Sequence, residues 1–236
     1  MKKTTFFVLI VFLNFMSCNK NDHLDKEFQW NLLMEEISYV LNEQACTDTY
    51  DDLLLTNSLN PFDGVGSITG KITFEILNES KSKKIEIESL KQEFINRIYQ
   101  ILPETISFPD TVSYLKEELV VENLFLSLYI EEGFDIYRFK SKKLENILNE
   151  SKFFDQNQKR RLLMFSSVLR HTIGYTKLFF EENGKSKSGS WEDCFVSKLL
   201  QLQACDDCWV ERISCVLSRP TCLGIKALDC AIASLS

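Results

Sequence analysis

The sequence predicts a mainly α protein, a helical bundle with a C-terminal, disulfide-tied helical hairpin. Three observations predict it. Apolar residues recur every three or four positions along most of the chain, the pattern of helices with one buried face. Glycine and proline are scarce, at 8 and 4 residues, too few for the many turns of a β-sandwich. Eight cysteines are present, and all but Cys18 and Cys46 fall between Cys194 and Cys230. A hydrophobic content of 44% with 18 phenylalanines allows a core that does not depend on those cysteines alone.

The amino end sets the compartment. Met1-Lys2-Lys3 is a short basic stretch, and Phe6 to Met16 is an apolar run broken only by Asn14. A bilayer-spanning helix needs about 20 apolar residues. This run is shorter and has the length of a signal-peptide core. It ends in Phe15-Met16-Ser17-Cys18, ahead of the polar Asn19-Lys20-Asn21-Asp22. The stretch resembles the lipobox of bacterial lipoproteins, where a small residue precedes a cysteine that is acylated and becomes the new N-terminus. Ser17 and Cys18 match that pattern; Phe15 replaces the usual aliphatic residue. The resemblance implies a signal peptide over 1–17, lipid on Cys18 and a tether over 18–23. Asn19 after the cysteine implies outer-membrane rather than inner-membrane residence.

Charge narrows the partners. The whole chain carries −7, from 27 basic and 34 acidic residues. Loss of Lys2 and Lys3 with the signal leaves 25 − 34, or −9. Such a chain repels phosphate backbones, so nucleic acid is not an expected partner. The expected membrane link is the lipid at Cys18, not charge. The protein partner is not legible.

A helical body is read over 24–180. A first helix runs from about Leu24 to Gln44, with Phe28, Leu32, Leu33, Ile37, Val40 and Leu41 apolar. Asp48, Asp51 and Asp52 follow in a connecting segment whose spacing does not match a calcium loop. Asn60-Pro61-Phe62-Asp63-Gly64-Val65-Gly66 reads as a turn region, and Gly64-x-Gly66-x-x-x-Gly70 is not the dinucleotide fingerprint. Ile72, Phe74 and Ile76 alternate as in a strand, so a short β-hairpin near 72–88 competes with a helix there. Helix is preferred. The hexapeptide Ile76–Lys81 recurs at Ile147–Lys152, which raises a duplicated helical unit as an alternative to chance.

Ser89 and Gln92 read as the capping box of a helix reaching Leu102. Another helix is expected from Pro109 to Glu132, closed by Gly133. Asp155-x-x-Gln158 opens a further helix through about Phe180. His171 lies in it without a sequence-evident partner, and reads as a surface or core-edge residue. His23 reads as part of the tether. No catalytic constellation, cofactor motif or metal site is found, so the chain reads as non-enzymatic.

Glu181 to Ser190 reads as a polar linker before the cysteine-rich hairpin of 191–236. Ser190-Trp191-Glu192-Asp193 resembles a capping box, and Ser218-Arg219-Pro220 should stop the helix it begins. Facing residues of an antiparallel hairpin lie about equally far from its turn. That rule pairs Cys215 with Cys222 and Cys208 with Cys230, with Cys205 an alternative to Cys208. Cys194 and Cys205 lie about 16 Å apart on a continuous helix, so only one of them can meet Cys46. Cys46–Cys205 is preferred, which leaves one thiol over. Cys205-Asp206-Asp207-Cys208 lacks the strand–helix setting of a thioredoxin motif, and Cys222-x7-Cys230 is too wide for a zinc knuckle. Export favours structural disulfides instead.

The cysteine density of 190–236 is similar in outline to proteins related to the bacteriocin fulvocin C. That resemblance implies an alternative, a precursor whose tail is released by cleavage near Lys185 to Ser190.

Overall fold

The computed structural model describes residues 25–43, 55–82, 86–101, 116–183, 188–204 and 219–235. They form seven helices: α1 (25–42), α2 (Asp63–Ser82), α3 (Ile87–Ile101), α4 (Lys116–Glu150), α5 (Gln156–Glu182), α6 (Ser188–Ala204) and α7 (Arg219–Leu235). The mainly α class is therefore as expected. There is no strand among the described residues, so the hairpin alternative near 72–88 is replaced by the end of α2 and the start of α3.

The reason lies in the spacing. Ile72 and Ile76, four apart, are both buried, and Thr69 and Thr73 satisfy their hydroxyls on the carbonyls of Val65 and Thr69 one turn back. A strand would have sent Ile72, Phe74 and Ile76 to a single face. The repeated hexapeptide does not mark a repeated unit. Its first copy lies within α2, whereas its second runs off the end of α4 at Glu150.

Helix α5 is the centre of the bundle. It packs against α2, α4, α6 and α7 and is buried around its circumference, with Leu162, Val168, Leu169, Ile173 and Phe179 fully enclosed. A helix covered on all sides loses its amphipathic stripe, so polar residues on it must find partners inside. Its start is the capping box read from sequence: Asp155 Oδ1 accepts from the Gln158 amide at 2.9 Å, and Gln158 Oε1 accepts from the Asp155 amide at 2.8 Å.

Gly133 breaks α4, but the chain resumes helix at once rather than ending there. Its φ of 79° and ψ of 176° belong to a region essentially reserved for glycine. Two other expected caps shift. Helix α3 starts at Ile87, so Ser89 is already inside it. Helix α6 starts at Ser188, so Ser190 is internal and meets Ser234 of α7 at 3.2 Å. Pro220 stands in the first turn of α7, where its missing N–H costs no helical bond; the helix it was expected to stop would end outside the described residues.

The glycines read as a turn lie in α2. Only the residues before Asp63 turn, and the Asn60 carbonyl and side-chain oxygens accept the Asp63 and Phe62 amides. A Cβ on Gly66 would lie 2.6 Å from the Ser167 backbone, and one on Gly70 would lie 2.8 Å from the His171 carbonyl. These two glycines, one turn apart, let α2 approach α5 more closely than any side chain permits.

The last two helices do not stand apart from the body. Trp191 lies parallel to Phe180 with ring centroids 5.9 Å apart, and Lys177 reaches Glu192 at 3.3 Å. Leu223, Ala227, Leu228 and Ala231 are buried in the same core as α2, α3 and α5. Gly224 admits the Phe94 ring at a spot where a Cβ would collide with it. The expected linker over 181–190 is shorter, since α5 continues to Glu182 and α6 begins at Ser188.

Candidate functional site

Two constellations carry chemistry among the described residues: the cystine between α6 and α7, and a buried charged cluster around α5.

Helices α6 and α7 run antiparallel, with Ser190 facing Ser234, Cys194 facing Cys230, and Lys198 reaching Asp229 at 3.1 Å. Cys194 and Cys230 are disulfide-bonded, with Cα atoms 5.6 Å apart and 36 positions between them in sequence. This corrects the Cys208–Cys230 pairing. That pairing assumed one helix running to a turn at Ser218-Arg219, but α6 is described only to Ala204. The bonded pair is centred on Arg212 in sequence, so its register differs. Cys222 is also disulfide-bonded, to a partner beyond the described residues. Cys18, Cys46, Cys205, Cys208 and Cys215 all lie outside the described residues, and with them the Cys215–Cys222 and Cys46–Cys205 pairings.

The charged cluster is assembled from four segments. Arg170 on α5 is wholly inaccessible to solvent. Its guanidinium donates to Glu145 of α4, to Asp63 Oδ1 at the start of α2 at 2.5 Å, and to the Leu55 carbonyl at 2.7 Å. Asn57 closes the ring: its amide donates to Asp63 Oδ2 at 2.9 Å and its Nδ2 to Glu145 Oε2 at 2.8 Å. Ser167 Oγ donates to Asp63 Oδ1 at 2.9 Å, and His171 Nε2 lies 3.2 Å from Asp63 Oδ2.

Burial would raise the Asp63 carboxyl, but the His171 and Arg170 interactions and the Asn57 amide outweigh it and hold the pKa down at about 2. His171 moves the other way from a charged histidine. Burial lowers its pKa below the usual value despite the neighbouring Asp63 carboxylate. Neutral His171 must carry its proton on Nε2, because a carboxylate can only accept. Its Nδ1 is buried without a hydrogen-bond partner. Lys142 on α4 is also lowered, by burial and then by the charges of Arg170 and Arg138.

His171 is thus a buried core residue, not a surface or core-edge one. It could not have been placed from sequence because Asp63 is 108 positions away. The serine, aspartate and histidine do not form a nucleophilic triad. Ser167 and His171 both donate to the same carboxylate, so the imidazole does not face the hydroxyl. Nor is there a metal-binding group of three or more His, Cys, Asp or Glu among the described residues. In the cluster the guanidinium of Arg170 occupies the space between the two carboxylates. The arrangement is chemically a buried ion network that fixes α2, α4, α5 and the Leu55–Asn57 segment together. A second buried pair reinforces α4 on α5, where Arg161 Nε and Nη2 each donate to Glu118 at 2.8 Å.

No protein-family model matches the chain, and neither a curated protein nor a solved structure does. No described helix is long and apolar enough to cross a membrane.

Proposed function

We propose that the chain is an exported, lipid-anchored, non-enzymatic helical protein that serves as an interaction or structural module at the cell envelope, held at the outer membrane by lipid on Cys18. The observation that carries this reading is the Cys194–Cys230 cystine, with Cys230 fully buried in the core. A cystine built into the core suits an oxidising compartment. That is the compartment implied by the basic and apolar start that ends at Cys18. The non-enzymatic part rests on the buried cluster, whose serine and histidine are directed at one carboxylate.

The released-peptide alternative has less support. Extracting α7 would expose Leu223, Ala227, Leu228 and Ala231 and uncover α2, α3 and α5.

Labelling producing cells with an alkyne-bearing fatty acid tests the reading. The wild-type chain should carry label and fractionate with the outer membrane, and Cys18→Ser should carry none. Unlabelled protein in the soluble fraction would contradict it.

A further inference from the structure

Helix α1 has two apolar faces. Leu33, Ile37 and Val40 are buried on one. Phe28, Leu32 and Tyr39 are exposed at 66%, 48% and 75%. At about 100° per residue those three fall within about 40° of one another, and Ile37 lies roughly opposite them. An amphipathic helix on a protein surface turns polar residues outward. This helix instead presents Phe28, Leu32 and Tyr39 along about 16 Å of its outer face, with the exposed Glu35 and Glu36 between the last two. Isolated exposed apolar residues need no explanation, but an aligned set opposite the core face marks a contact surface.

We infer that the Phe28–Leu32–Tyr39 face of α1 rests on the bilayer surface to which Cys18 is anchored. The inference depends on the lipidated reading above. What selects a lipid surface over other occupants is the length of chain between anchor and helix. Six residues, 19–24, separate Cys18 from the start of α1 and span at most about 24 Å. The lipid therefore holds α1 at the interface at a high effective concentration, where a small apolar stripe suffices as a second attachment. Tyrosine suits the headgroup level, with its ring toward the acyl chains and its hydroxyl in water. The stripe contains Glu35 and no lysine or arginine, so it fits a zwitterionic surface and not an anionic one.

The test uses the full acylated chain in phosphatidylcholine vesicles with brominated acyl chains, which quench nearby indoles. Leu32→Trp and Tyr39→Trp are compared with the wild type and with Tyr99→Trp on α3, an exposed position at 56%. The expected result is an extra loss of emission at positions 32 and 39 beyond that of either control. Acylated protein without that extra loss overturns the inference and leaves the lipid anchor standing. Protein whose Cys18 bears no lipid by mass spectrometry overturns both. A detergent-solubilised dimer that Tyr39→Glu converts to a monomer would assign the face to a second copy and overturn the bilayer contact.

Discussion

Arg170 and Asp63, 107 positions apart in sequence, form an ion pair in which the arginine is fully buried and the aspartate side chain is only 10% exposed. The same guanidinium donates to Glu145, so one cation serves two carboxylates. Replacing it leaves both carboxylates buried without that cation, with only the donors Asn57, Ser167 and His171. Arg170→Met should therefore destabilise the fold by about 3–5 kcal/mol, the scale for removing one partner of a buried pair. Arg170→Lys should recover little of this, because an ammonium cannot reproduce the guanidinium's branched contacts to Leu55, Glu145 and Asp63. Urea denaturation of the three proteins measures it.

Acid should unfold the protein in two phases. His171 has a folded pKa below its unfolded value of about 6.5. The unfolded chain thus takes up this proton first, and stability falls as pH drops below about 6.5. Asp63 has a folded pKa of about 2 against 3.8 unfolded. Its contribution is fully present above about 4 and is lost as pH falls toward 2, about 2 kcal/mol in all. Denaturation curves across pH should show His171→Gln flattening the upper phase and Asp63→Asn the lower one.

The three glycines near the start of α2 should respond in opposite directions. Gly64→Ala meets no atom within 4 Å and replaces a poor helix former, so it should be neutral or stabilise by up to about 1 kcal/mol. Gly66→Ala and Gly70→Ala drive a methyl into α5 and should each destabilise by about 1–3 kcal/mol. Thermal melts of the three variants give the ranking.

Cys194→Ala with Cys230→Ala removes a crosslink closing a loop of 36 positions. The expected loss is about 2–4 kcal/mol. Non-reducing peptide mapping of the wild type should recover the segment around Cys194 bound to the segment around Cys230. Recovery of Cys230 bound to Cys208 would contradict the α6–α7 register.

What the sequence revealed was local. Asp155 and Gln158 are three residues apart, and their reciprocal cap is legible because every atom in it belongs to one turn. Leu90, Phe94 and Ile98 announce α3 by the same spacing rule, and all three are buried. The misreadings involve residues whose meaning is set from elsewhere. Gly66 looks like a turn residue until α5 is seen pressed against it. The charged cluster was not legible at all, since Leu55, Asp63, Glu145 and Arg170 carry no shared spacing or motif. The cystine was misassigned because its pairing rule required the position of a turn, which periodicity does not supply.

Intact-mass spectrometry of unreduced protein extracted from the envelope of the producing cell tests the central claim most directly. The chain should start at Cys18, carry an acylglyceryl group there and extend through Ser236. A chain whose Cys18 is unmodified, or a free fragment beginning near Ser190, would contradict it.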